Sequence, residues 1–138
     1  MRGLVTITPA PSIDLTYVLQ RPLQPGEVQR AGHAGIELSG KGLNVAYAVA
    51  HTGVPVRAVL PVMPEGLAAV DTAAWGGMLV AAEPAPPLRI NSSFVGSGAA
   101  TKVNAPAPGL SERTWESIAE KTLARLDAGA GWAALCGT

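Results

Sequence analysis

A helix followed closely by a dense strand is the feature that most limits this chain. Helix formers run from about Gly42 to His51 and stop at Gly53, where a glycine can end a helix in the left-handed conformation. Val56 to Val62 then reads as a buried strand, and Leu4 to Thr8 as an earlier one closed by the breaker Pro9-Ala10-Pro11. Strands joined through a helix pair in parallel, because parallel neighbours need a long crossover. The order strand–helix–strand therefore points to an α/β fold with a parallel sheet.

The remaining segments divide into apolar and polar. Asp14 is placed at the far end of the first strand, where open α/β sheets collect ligands. Leu15 to Leu19 is a second extended run, and Arg21 to Gly26 is a turn rich in proline. Glu27 to Leu38 has no helical period and reads as one or two exposed strands. Glu65 to Trp75 reads as an alanine-rich helix ended by Gly76-Gly77, and Met78 to Ala82 as a short core strand. Glu83 to Pro87 is a stiff connector. Arg89 to Asn104 forms a hairpin around Gly96-Ser97-Gly98, with one face wet or in contact with ligand. Ser111 caps a last helix whose apolar stripe is Trp115, Ile118, Ala119, Leu123 and Leu126. Trp132 to Cys136 is a final buried strand. A parallel sheet stopping there keeps an apolar edge, so the expectation is the N-terminal part of a longer protein.

Ser39-Gly40-Lys41-Gly42-Leu43-Asn44 carries the first chemical signal. Gly40 and Gly42 allow backbone geometry that a Cβ would block, and the first amides of the following helix lack intrahelical partners. With the Lys41 charge and the Asn44 amide, this makes a cradle for a polyhydroxylated or phosphorylated molecule. A Walker A loop is a competing reading. Gly35 to Lys41 has its spacing, but Gly42 stands where a magnesium-binding hydroxyl belongs, and Glu37 would repel phosphate.

Charge narrows the partners. Ten acidic and ten basic residues in 138 balance to zero, which argues against broad nucleic-acid binding. No apolar run is long enough to span a bilayer or to serve as a signal-peptide core. His33 and His51 are isolated, so no metal-ligand cluster is expected. One cysteine, Cys136, excludes an internal disulfide framework and reads as a small hydrophobe. A soluble cytoplasmic protein is the expectation.

Several segments in order resemble a known family. Thr8-Pro9-Ala10-Pro11-Ser12-Ile13-Asp14 is followed by Gly26-Glu27-Val28-Gln29-Arg30 and by Gly40-Lys41-Gly42-Leu43-Asn44-Val45-Ala46. Arg89-Ile90-Asn91, Thr101 to Pro106 and Leu135-Cys136-Gly137-Thr138 continue the series. Together they resemble the phosphofructokinase-B, or ribokinase-like, family of sugar kinases, closest to its 1-phosphofructokinase branch. The resemblance covers the whole chain.

It implies a three-layer α/β/α fold with a small β-sheet lid, present here as the N-terminal half. The lid would come from about residues 15–38 and 88–104 of the single unit 1–138. The implied activity is transfer of the γ-phosphoryl group of ATP, with Mg²⁺, to a sugar-phosphate hydroxyl, such as fructose 1-phosphate giving fructose 1,6-bisphosphate. Tagatose 6-phosphate and fructose 6-phosphate are the alternatives. By resemblance Asp14 would accept bonds from sugar hydroxyls, Gly40, Lys41 and Asn44 would line the sugar, and Arg89 with Asn91 would face its phosphate. A homodimer formed through the lid is the implied assembly.

The chain also departs from the family pattern. Ser39-Gly40 stands where the family has two glycines, and Val62-Met63-Pro64 lacks an expected one. The family's Gly-Ala-Gly-Asp segment, with the general base and the anion hole, has no counterpart here. No catalytic residue and no tight ATP or Mg²⁺ site is therefore expected in this chain alone. The rival to a kinase portion is a non-catalytic module that binds sugar phosphate or dimerises.

Overall fold

The structure, a computed structural model, describes residues 2–137. Thr138, the last residue of the Leu135 motif, lies outside them. Two four-stranded sheets form. The first has the order β5-β4-β1-β8, with β1 Gly3–Ile7, β4 Val56–Pro61, β5 Leu79–Ala82 and β8 Ala130–Leu135, all parallel. The second has the order β3-β2-β6-β7, with β2 Ser12–Leu19, β3 His33–Ser39, β6 Arg89–Gly96 and β7 Ala99–Asn104.

Helices α1 (Lys41–Ala50) and α2 (Glu112–Asp127) cover opposite faces of the parallel sheet. Alternation along β4 shows this: Val56, Ala58 and Leu60 pack with Leu43 and Ala46 of α1, while Val59 packs with Val5, Ile7 and Ile118 of α2. Ile13 and Leu38 of the second sheet join the α1 side, so that core is shared between the sheets. The chain thus has three layers, α/β/α, with a second sheet attached.

Turn chemistry explains several boundaries. Ser97 and Gly98 both have positive φ, 48° and 80°, which gives the tight two-residue hairpin between β6 and β7. Ser111 Oγ accepts the Thr114 amide at 3.2 Å and caps α2. Gly53, at φ 81°, donates its amide to Ala50 and ends the helical path after α1.

Other expectations are corrected. Glu65 to Trp75 is not an α-helix but two short 3-10 turns, Pro64–Leu67 and Ala73–Trp75. Asp71 Oδ1 accepts the Ala73 amide at 2.8 Å, so a side chain competes with the helical ladder between them. Between Glu27 and Leu38 the expected one or two exposed strands are one, β3, and it is mostly exposed. The chain before it is an exposed loop tied by Arg21–Glu27 and by Gln29 bonds to Gln24 and Pro22. Asp14 does not end the first strand but sits inside β2, because pairing with β3 and β6 starts at Ser12.

The last segment differs most. On α2 the buried residues are Thr114, Ile118 and Thr122, while Trp115 and Leu123 of the expected stripe are exposed. The final strand is not buried: Trp132 is 72% exposed and Leu135 71%. Cys136 follows that strand, half-buried, with its amide on the Ile7 carbonyl.

Candidate functional site: a carboxylate row beside the start of the first helix

β2 and β6 are parallel neighbours, with Ser12 opposite Arg89 and Asp14 opposite Asn91. β3 adds Ser39 opposite Ser12 and Glu37 opposite Asp14, and β7 adds Asn104 opposite Asn91. Because strand residues alternate, these side chains share one face of the sheet. Glu37, Asp14, Asn91 and Asn104 therefore form a polar row across all four strands.

The hydrogen bonds fix the middle of that row. Asp14 Oδ1 accepts from Ser12 Oγ at 2.8 Å and from Asn91 Nδ2 at 3.0 Å. Asn91 Nδ2 also donates to Ser12 Oγ at 3.1 Å, and Asn91 Oδ1 accepts the Ala105 amide at 3.2 Å. Asn91 has thus spent both amide protons inside the protein. Asp14 keeps Oδ2 without a partner among the described residues, an acceptor held in place by its own other oxygen.

Arg89 braces the junction between the sheets. Its Nη1 donates to the Ala105 carbonyl at 3.0 Å and its Nη2 to the Ala10 carbonyl at 3.3 Å, while Nε is buried without a partner. Both polar backbone groups of Ala105 are held, one by Asn91 and one by Arg89. Arg89 therefore ties the β1–β2 crossing to the exit from β7. Its remaining guanidinium protons are what it has for an anion.

The glycines meet the protein's own Thr8 side chain and, at Gly42, the Ile7 carbonyl. A Cβ on Gly42 would collide with Thr8 Oγ1 and lie 2.9 Å from the Ile7 carbonyl oxygen. One on Gly40 would come within 2.5 Å of Thr8 Cγ2. Gly40 also has φ 156° and ψ 152°, a region open essentially to glycine alone. These two residues let α1 begin directly against the end of β1, where the hydroxyl of the following Thr8 is buried and unpartnered. Gly35 to Ser39 lies in the antiparallel β3 strand rather than in a loop wrapped for phosphate.

Lys41 is the first residue of α1, exposed, and makes no ion pair among the described residues. The first turn has no acidic residue and no side-chain cap, so its amides are electrostatically open. Asn44 is exposed and lines a cleft of about 530 Å³ with Ile36, Glu37, Ser39, Tyr47 and Trp75 among others. Asp14, Arg89 and Asn91 do not line that cleft. The six residues picked from sequence thus form two groups: Asp14, Arg89 and Asn91 on the sheet, and Gly40, Lys41 and Asn44 at the helix start. Ser39, paired with Ser12, connects them.

No protein-family profile matches the chain, and no curated relative does. Solved structures match strongly. Escherichia coli phosphofructokinase-2 in complex with fructose-6-phosphate superposes with a TM-score of 0.82 at 24% identity, over 99% of this chain and 46% of that one. This chain has the ribokinase-like fold. A "Possible 1-phosphofructokinase" from Thermotoga maritima matches at TM-score 0.79 and 17% identity, over 99% of this chain and 45% of that one. The ribokinase of the same organism matches at 0.55 and 18%, over 76% and 36%. The chain spans less than half the length of each. The ribokinase-like layers read from sequence are therefore present, as a portion of that fold.

Sequence reading missed Ser12 and Glu37. Both were detectable in principle: Ser12 shares Asp14's parity, two residues before it, and Glu37 falls opposite Asp14 once the strands pair. It also missed Tyr47, Asp71 and Trp75, which only the tertiary fold brings together.

Proposed function

We propose that this chain is part of an ATP-dependent sugar-phosphate kinase resembling 1-phosphofructokinase, and that it supplies the substrate-recognition portion. The observation that carries this is the Asp14 carboxylate: Oδ1 is locked by Ser12 and Asn91, and Oδ2 is free. A carboxylate fixed in this way is preorganised to accept sugar hydroxyls at little entropic cost. Arg89, opposite Ser12 on the sheet, and Lys41, at the start of α1, are the cations this reading offers to a phosphate, by fork and by point charge respectively. ATP and Mg²⁺ belong to the complete enzyme. Among the described residues no three His, Cys, Asp or Glu side chains cluster to hold a metal. Phosphoryl transfer depends on positioning and charge stabilisation, so this portion alone turns nothing over.

Two measurements test this. A coupled assay with ATP, Mg²⁺ and fructose 1-phosphate should show no turnover by the 138-residue chain. Calorimetry should show sugar-phosphate binding that weakens about tenfold or more in Asp14→Asn, the loss of a charge-assisted bond. Turnover by the chain would overturn the first statement, and unchanged binding in Asp14→Asn the second.

The reverse face of the second sheet supports a homodimer formed through the lid. Ile36, Ile90 and Val103 are exposed there, beside the stacked rings of Tyr17 and Phe94 at 5.4 Å. An apolar sheet face of this kind marks an association surface. Sedimentation should show a dimer that Val103→Asp dissociates, and a monomer in both would remove this reading.

A further inference from the structure

The parallel sheet has a second end, away from Asp14 and Lys41, where β1, β4 and β8 begin. A cavity of about 330 Å³ opens there, among Gly3 of β1, Val56 and Arg57 of β4, Ala130 of β8, and Arg125 and Gly129 at the end of α2. The five residues of β1 separate it from the start of α1, roughly 15 Å for a strand of that length. Arg57 and Arg125 bring two guanidinium groups to its lining, and no aspartate or glutamate lines it. Arg2, beside Gly3, packs its side chain over Gly131 and adds a third positive charge next to the cavity.

Arg125 carries the argument, because the protein leaves it without a counter-charge. It is half-buried, its Nε is buried with no hydrogen-bond partner, and it makes no ion pair among the described residues. Two nearby acceptors at the end of α2 are already taken: the Ala124 and Leu126 carbonyls accept the amides of Ala128 and Gly129. Asp127, two residues on, is exposed, lies outside the cavity and does not pair with it. Arg57 spends one proton of Nη1 on its own Val56 carbonyl at 3.0 Å and also has no acidic partner. A partly buried cation without a partner costs free energy that a bound anion recovers. A cationic ligand would meet only like charge here, and a neutral polyol would leave the charge uncompensated. A phosphate dianion matches two guanidinium groups in charge and in fork geometry. The cavity volume admits a small molecule, and a chain of zero net charge is poorly suited to a nucleic acid.

We propose that this cavity binds a small phosphorylated molecule through Arg57 and Arg125, at a site separate from the sugar-phosphate face and independent of that reading. The test is titration of the isotope-labelled chain with inorganic phosphate, followed by amide chemical shifts, with glycerol and choline as neutral and cationic comparators. The Gly3, Arg57 and Gly129 signals should shift and saturate with phosphate, and neither comparator should move them. Arg125→Gln should weaken that response about tenfold and Arg57→Gln several-fold, the loss of charge-assisted bonds. Arg125→Lys keeps the charge without the fork, so it should fall between wild type and Arg125→Gln. Glutamine and lysine suit a helix nearly as well as arginine, and circular dichroism would verify that each variant is folded. No saturating shift at the cavity, the same shift in the folded Arg125→Gln and Arg57→Gln proteins, or an equal response to glycerol would overturn the proposal. The Asn44 and Asn91 signals report the other site in the same titration. Silence there with a response at Gly129 would count against the sugar-phosphate reading and leave this one standing.

Discussion

Helices α1 and α2 cover opposite faces of one sheet, yet they are buried in different ways. α1 buries Gly42, Leu43 and Ala46, and Leu43 has no exposed surface at all. Its core is completed from the second sheet by Ile13 and Leu38. α2 buries Thr114, Ile118 and Thr122, two of them hydroxyl residues satisfied locally by Ser111 and by the Ile118 carbonyl. Its larger apolar side chains, Trp115 and Leu123, face water, next to a strand edge that exposes Trp132 and Leu135. The α1 side closes on itself within this chain, and the α2 side does not. The chain spans less than half the length of the solved structures it resembles.

The largest expected effect lies on the closed side. Leu43→Ala should cost about 2–5 kcal/mol, since it removes a fully buried side chain and leaves a cavity among Leu60, Ala46 and the second sheet. Urea denaturation would measure it. A cost below about 1 kcal/mol would mean that this core collapses freely around the gap, and the contrast between the helices would lose its basis.

A middle-sized effect is expected where the sheets join. Asn91→Ala removes bonds to Asp14, Ser12 and the Ala105 amide together. A loss of about 1–3 kcal/mol follows from leaving these partners unsatisfied in a half-buried place. The same change leaves Asp14 held by Ser12 alone, so sugar-phosphate affinity should fall as well. A stability loss with affinity intact would make Asn91 a fold residue only, and would sharpen the division between closed core and ligand face.

The sequence showed the closed side better than the open one, for a physical reason. The Gly40 to Ala46 run was readable because two glycines before a helix can serve close approach, although here they approach Thr8 and Ile7 of the protein itself. The stripe Trp115, Ile118, Ala119, Leu123 and Leu126 was also readable, but periodicity shows that a helix has an apolar face and not what covers it, and of these five only Ile118 is buried. Asp14 was misplaced because Pro11 looked like a breaker, whereas the chain pairs again from Ser12. Glu65 to Trp75 was misread because alanine favours helix on average, and one aspartate side chain could redirect the backbone. The Arg89 and Asn91 grip on Ala105 spans residues far apart in sequence, and no local pattern reports it.

The smallest stability effect is expected on the open side, and it separates this side most cleanly from the other. Leu123 is 59% exposed, so Leu123→Lys removes little buried area, and lysine is nearly as good a helix former. Stability should change by no more than about 0.5 kcal/mol. Self-association is a different matter, because the substitution puts a charge on the apolar surface made by α2 and β8. Sedimentation velocity at rising concentration should show fewer large species in Leu123→Lys than in wild type, as charge on an exposed apolar surface opposes edge pairing. If the variant instead lost about 2 kcal/mol or more in dilute solution, Leu123 would have to be buried by the chain itself, and α2 would then be as closed as α1.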